Sequence, residues 1–167
     1  QFLYKPEEIT AVFISHAHID HIGRLPQLHK AGFRGRVYST APTKDFAELL
    51  LLDSVHILQE EAKKLKRKPL YDIEDVPKLM TLWQKISYHE KISVGDFEIE
   101  LYDAGHILGS ASVFIKAEGK SIVFSGDLGN TPAPFIKPTE YIDQADYVVM
   151  ESVYGNRIHE DIESRKD

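Results

Sequence analysis

Cysteine is absent from the 167 residues, which excludes disulfides and every thiolate metal site. That absence fits a reducing compartment, and the chain is expected to be cytoplasmic. No apolar run is long enough to span a bilayer and no secretory signal is visible, so no membrane is expected as a partner. An excess of positive charge is missing too. The net charge of −6 provides no overall basic field for nucleic acid, although a local basic groove stays open. The aromatic residues are scattered, with a single tryptophan at Trp83, and nothing marks a stacking platform of the kind single-strand binders use. Repeats and low-complexity segments are lacking. The chain starts at Gln1 rather than at a methionine and reads as a piece of something longer.

What is there is an ordinary globular composition, long enough for one domain with a real core. Strand-like and helix-like segments alternate, which points to an α/β fold. Residues 9–15 (ITAVFIS) read as a buried strand, 25–32 as a helix stopped by Gly32, and 36–40 (RVYST) as a short strand. Pro42 opens a helix that the pattern extends to about Lys68, with Phe46, Leu49, Leu50, Val55 and Leu58 as its apolar face. Its end, KKLKRK, reads as a solvated helix terminus with lysines matched to the dipole, and a nucleic-acid contact is the rival reading. A second helix is expected over 76–86. Strands follow at 97–102, 111–117, 121–124 and 147–150, with EGK at 118–120 as a hairpin turn. Residues 156–167 read as a polar tail.

The histidines are not spread evenly. In AVFISHAHIDHIGRLPQL, residues 11–28, His16, His18, Asp20 and His21 fall within six positions just after an apolar strand. A strand end followed by a turn is where an α/β fold exposes functional groups. Imidazole nitrogen and carboxylate oxygen are ordinary zinc ligands, so a run of idle exposed histidines is the weaker reading. Two other stretches share the layout. DAGHILGSAS, 103–112, puts His106 in a glycine-bounded loop, and SIVFSGDLG, 121–129, puts Asp127 after an apolar strand. Asp127 alone could be a plain turn aspartate. Ser110 and Ser112 could donate to a phosphate, with turn chemistry as the simpler reading. His29, His56 and His89 have no motif around them and are expected at helix-surface or turn positions, and His159 is expected to be exposed in the tail.

His-Ala-His-Ile-Asp-His resembles the HxHxDH signature of the metallo-β-lactamase superfamily, and His106 and Asp127 sit where that superfamily places its next ligand motifs. The resemblance covers nearly the whole chain. It implies an αββα sandwich with metals at one edge. His16, His18 and His106 would hold one zinc, Asp20 and His21 a second, and Asp127 would bridge both. MESVYG, 150–155, resembles the ESTYG stretch of the β-CASP branch of RNA- and DNA-processing nucleases, with Val153 in place of threonine. In that branch the acid, here Glu151, pairs with a distant histidine near the leaving group. The long helical insert and HILGSAS resemble the same branch. Two elements of the full pattern have no counterpart: an early aspartate in a glycine-rich loop, and the β-CASP domain with its two histidines. Residues 1–155 are therefore expected to form part of a metallo-β-lactamase domain with a helical insert at 42–86. Residues 156–167 would lead toward the β-CASP domain, and the fold would be incomplete without it. Tyr154 and Gly155 would shape the turn into it.

Two zinc ions about 3.5–4 Å apart can share a hydroxide and lower its pKa toward neutrality. Neutral histidines keep such a site cationic enough to act as a Lewis acid. The resemblance implies a zinc-dependent hydrolase cleaving RNA through a metal-bound hydroxide, with Asp20, Asp127 and Glu151 as the catalytic carboxylates. Asp20 would be a ligand first and a base second. The isolated chain is expected to bind metal incompletely and to be inactive. Single-stranded RNA is the expected substrate, and a homo-oligomer stays open. The alternatives are a thioester or small-molecule ester hydrolase of the same fold and a non-catalytic scaffold subunit. Iron or manganese would also suit these ligands.

Overall fold

The computed structural model describes residues 2–129, 134–153, 155 and 156. After a single 3-10 turn at Pro6–Glu8, the first half of the chain alternates strands and helices. The elements are β1 (Ala11–Phe13), α1 (Ile19–Ile22), α2 (Leu25–Lys30), β2 (Arg36–Ser39), α3 (Ala41–Lys64), α4 (Asp75–Met80) and β3 (Trp83–Lys85). The three strands form one parallel sheet in the order β1-β2-β3, with Val12 opposite Val37 and Val37 opposite Trp83. Parallel neighbours need crossover connections, and the helices supply them.

The second half is a five-stranded sheet of sequential neighbours: β4 (Ile92–Val94), β5 (Phe97–Asp103), β6 (Ala111–Ala117), β7 (Lys120–Phe124) and β8 (Tyr147–Val149). The pairs are antiparallel until β8, which runs parallel to β7. Glu118 and Gly119, at φ 50° and 71°, make the tight β6–β7 turn that EGK foretold.

Two cores hold these layers together. One lies between the helices and the parallel sheet, where Ile22, Leu28, Leu51, Val76 and Leu79 meet Val37 and Trp83. The other lies between the sheets, where Phe13 and Tyr38 face Ile99, Leu101 and Val113. Among the described residues this makes helix, sheet and sheet, three of the four layers of an αββα sandwich.

Several boundaries differ from the sequence reading. Only Ala11–Phe13 of the strand expected over 9–15 is paired, and it is half-buried. Helix α3 does begin around Pro42 but ends at Lys64, with Lys66 in a left-handed conformation at φ 50°. Its buried face is Thr43, Ala47, Leu51, Val55 and Ala62. Of the apolar face expected from the sequence, Val55 and Leu58 pack inward, whereas Phe46, Leu49 and Leu50 point to solvent. The buried positions 43, 47, 51 and 55 form one i, i+4 stripe, which Phe46, Leu49 and Leu50 do not share. The helix expected over 76–86 stops at Met80, and Trp83–Lys85 is strand β3. Trp83 continues the helical spacing of Leu79 and Met80. Its pairing with Val37, and its Nε1 donating to Ser39 Oγ at 2.8 Å, win over that local pattern. Strand β4 was not anticipated at all. The expected tail lies outside the described residues apart from Asn156, as do Tyr154 and His159.

The orientation of α3 has a measurable consequence. In urea unfolding, Leu51→Ala, which empties a fully buried position, should cost about 2–5 kcal/mol. Leu49→Ala, at a position 65% exposed, should cost less than about 0.5 kcal/mol. Equal losses would contradict the orientation described for α3.

Candidate metal centre

Three loops meet where the two sheets share an edge. The first follows β1. Ser15 O accepts from Ala111 N at 2.7 Å, which ties the loop to the other sheet at the start of β6. His16 and His18 follow, and His18 caps α1, so Asp20 and His21 fall in its first turn. The second loop, 104–110, connects β5 to β6 and carries His106. Ser110 Oγ accepts from the backbone N–H of His106 (3.0 Å) and Ile107 (3.2 Å), closing the loop on itself. Thr40 and Thr43, at the start of α3, both donate to Gly109 O, at 2.6 and 2.8 Å. Tyr88 donates to Ser110 O at 2.8 Å. Burial and the carboxylates of Asp103 and Glu140 raise the pKa of that phenol, so it keeps its proton for the bond. The third loop follows β7 and carries Asp127.

These last two loops touch so closely that glycine is required. Gly129 N donates to Ala104 O at 2.9 Å, and a side-chain carbon at Gly129 would overlap the Gly105 carbonyl. Gly126, at φ 59°, turns the chain so that a Cβ there would lie 2.7 Å from that of Ser15.

The side chains converge as a result. His16 Nε2 lies 3.0 Å from His18 Nδ1, and His106 Nε2 lies 3.2 Å from the same atom. Asp127 Oδ2 is 3.5 Å from His16 Nε2 and 3.7 Å from His106 Nε2. One ligand atom from each of these four residues lies within 4.8 Å of the others, a spacing that suits a single ion. The other Asp127 oxygen, Oδ1, faces His21 Nε2 at 3.4 Å, and His21 Nε2 is 3.5 Å from Asp20 Oδ2. Asp127 therefore stands between two groups, His16-His18-His106 and His21-Asp20, and turns one oxygen to each. Asp20 is the outlying member, with its side chain 76% exposed.

The donors also suit a cation chemically. His16 is fully buried, and desolvation followed by the neighbouring His21 lowers its pKa to about 4, against the partial opposition of Asp127. His106 is lowered as well, by burial and then by His18. Both rings are therefore neutral at neutral pH, with lone pairs to give. Three imidazoles facing one another around one carboxylate satisfy each other poorly by N–H donation. A divalent ion would satisfy all four at once.

Other sequence expectations divide. Glu151 comes to the same edge, where its Oε1 accepts from Leu128 N at 2.6 Å, beside Asp127. It lines an open cleft of about 570 Å³ that also takes in His21, Asp127, Phe13, Phe124 and Val149. Ser110 and Ser112 are buried and committed, Ser110 Oγ within its own loop and Ser112 Oγ to Ser125 O at 2.9 Å, so neither is free for a phosphate. His56 is exposed on α3 and His89 sits in a turn, as expected, while His29 is partly buried with no partner for its Nδ1. Residues that support the site were missed. Ser15 Oγ lies 3.1 Å from His16 Nδ1 and 3.4 Å from His21 Nδ1, where it can orient both rings. Its place directly before His16 was the available signal. Thr40 and Glu140 gave none, because their role comes only from tertiary contact.

Comparison with known proteins decides the family. The model of the metallo-beta-lactamase superfamily domain matches residues 4–153. The chain belongs to the metallo-β-lactamase superfamily. It is 36% identical to Ribonuclease TTHA0252 of Thermus thermophilus over 95% of this chain and 35% of that protein. It is 34% identical to RNase aCSPSF2 of Saccharolobus solfataricus over 97% of this chain and 31% of the relative. It is 33% identical to Cleavage and polyadenylation specificity factor 73 of Drosophila melanogaster over 99% of this chain and 24% of the relative. Two of these relatives are named as ribonucleases and the third as a cleavage and polyadenylation factor, which bears out the resemblance to the RNA-processing branch of the superfamily. The chain spans about a quarter to a third of their length. Among solved structures, a motif mutant of the metallo-β-lactamase from Cronobacter sakazakii aligns with a TM-score of 0.50 at 16% identity, over 72% of this chain and 43% of that one. That likeness concerns the fold alone.

Two outcomes test the centre. Gly129→Ala should weaken cobalt(II) uptake by more than about 10-fold, because it pushes the Asp127 and His106 loops apart. Unchanged uptake would refute the close approach. The second concerns acid. Unfolded His16 titrates near 6.5 and folded His16 near 4, so the unfolded chain binds the extra proton in between. The stability tied to its neutral form is complete above pH 6.5 and is lost as the pH falls toward 4. The Tm of metal-free protein should drop across that window, and His16→Gln should flatten the drop.

Proposed function

We propose that this domain forms the metal-holding part of a ribonuclease that hydrolyses RNA phosphodiester bonds. The observation that carries the reading is the facing of His16, His18 and His106 with Asp127, in a chain whose named relatives include ribonucleases. In this reading His16, His18 and His106 would hold one zinc ion, Asp20 and His21 would contribute to a second, and Asp127 would serve both. Bound there, the ions supply Lewis acidity and lower the pKa of a coordinated water.

The chain's own groups set the rest. Three neutral imidazoles and one shared carboxylate leave the loaded site with net positive charge, which suits an anionic phosphodiester. Ser15 keeps His16 and His21 in orientation. Asp20 acts as a ligand, and its exposure leaves it accessible to the substrate side. Glu151 lies beside Asp127 with Leu128 N donating to its carboxylate, and in the intact protein it would orient a partner histidine that protonates the leaving oxygen. Single-stranded RNA is the substrate in this reading, and the mostly apolar cleft beside Glu151 leaves its phosphates to the metal-holding edge.

The test is cleavage of 5′-labelled single-stranded RNA by the complete protein supplied with zinc. Asp127→Ala should reduce cleavage by more than about 100-fold, since even the outer partners of metal ligands are worth about 10- to 100-fold. Glu151→Gln should slow cleavage while leaving metal content unchanged. Intact RNA in the presence of bound zinc would contradict the reading and turn attention to thioester and small ester substrates.

A further inference from the structure

The loop that carries His106 is gripped at its far end by α3 and by Tyr88. Its near end is gripped by Gly129 and, beside it, by residues that belong to none of the motifs. Glu140 addresses Asp103, the last residue of β5, through both of its own polar groups. Glu140 N donates to Asp103 O at 2.8 Å, and Glu140 Oε2 accepts from Asp103 N at 3.1 Å. The adjacent Thr139 Oγ1 donates to Ala104 O at 3.0 Å, and its backbone lies where a Cβ at Gly105 would be. Asp103 Oδ1 in turn accepts from Gly105 N at 2.9 Å. The three residues immediately before His106 are thus held one after another.

Glu140 is itself held. His89 lies between two acids, with Nε2 3.1 Å from Glu140 Oε2 and Nδ1 3.5 Å from Glu100 Oε1. Its ring stands edge-on to Tyr102 with centroids 5.0 Å apart. His89 has φ 63°, a left-handed conformation that costs a residue with a side chain free energy, and its N–H is fixed to Leu101 O at 2.9 Å. An exposed ion pair would ordinarily count for little. Here the same carboxylate that pairs with the imidazole also closes a main-chain N–H three residues from a ligand, and a strained residue presents the imidazole to it.

We propose that Glu140 is a positioning residue for His106, and that His89 orients it. The inference rests on the reading of His106 as a metal ligand. The clamp fixes the backbone from Asp103 to Gly105 and so sets where His106 Nε2 meets His18 and Asp127. Without it, Asp103 loses the partners of its N–H and carbonyl, and the near end of the loop keeps the contacts at Ala104 O and Gly105 N while Ser110 and Gly109 keep the far end in place.

The test is cobalt(II) titration of the protein, following both affinity and the visible absorption of the bound ion. Glu140→Ala should weaken affinity by roughly 10-fold and alter the absorption bands, in keeping with loss of an outer support of a metal ligand. Glu140→Gln, which keeps an oxygen for Asp103 N, should restore most of both. His89→Asn tolerates the left-handed backbone, and it should shift affinity in the same direction by a smaller factor even if Glu140→Ala does not fold. Asp146→Asn, which breaks the exposed Lys120 pair, is the control and should change neither readout. Unchanged affinity and spectrum in Glu140→Ala and His89→Asn, beside a wild type that binds cobalt, would overturn the positioning role alone. A wild type that takes up no cobalt would overturn the metal reading and the proposal together.

Discussion

The contact on which this structure depends is the approach of Gly129 to Gly105. Two loops from different strand ends lie against one another with no room for a side chain, joined by Gly129 N to Ala104 O at 2.9 Å. That contact brings Asp127 beside His106. The bond from Ala111 N to Ser15 O then brings in the loop with His16 and His18. The sandwich provides rigid strand ends, and glycine provides the close approach between them. Neither alone would place four ligand atoms within 4.8 Å of one another.

The cost of that convergence is electrostatic. Several imidazoles crowded together cannot all be protonated, and the structure resolves this by burying His16 and letting its neighbours lower its pKa. Neutral rings are what a metal requires, so the arrangement that disfavours protons favours a divalent ion. Asp127 supplies the one negative charge in the middle, and its two oxygens face different histidines. The fixed outer partners, Ser15 for His16 and the Ser110 hydroxyl for the His106 loop, hold the geometry in which this balance works.

Much of the centre was legible in the residues. His16, His18, His106 and Asp127 could be found because each follows a strand-like run and each is a residue type that binds metal. Glycines beside His106 and Asp127 signalled the turns. The parts that were not legible depend on nonlocal contact. Trp83 continues a helical spacing from Leu79 and becomes a strand only by pairing with Val37. Helix α3 turns Ala47 inward with Leu51 and Val55 and leaves Leu49 outward, and with apolar residues at 46, 47, 49, 50, 51 and 52 hydropathy alone does not single out that stripe. Ile92–Val94 is too short to show a period, and it becomes a strand through Phe97–Ile99. Glu140 reads as one more surface acid until its carboxylate is seen on the backbone of Asp103.

The central claim is that these three loops build one metal centre around Asp127. Anomalous diffraction from crystals grown with zinc, recorded at the zinc edge, tests it most directly. A peak is expected between the facing nitrogens of His16, His18 and His106, within bonding distance of Asp127 Oδ2. Zinc bound only at surface histidines such as His56 or His89, with that position empty at saturating metal, would contradict it.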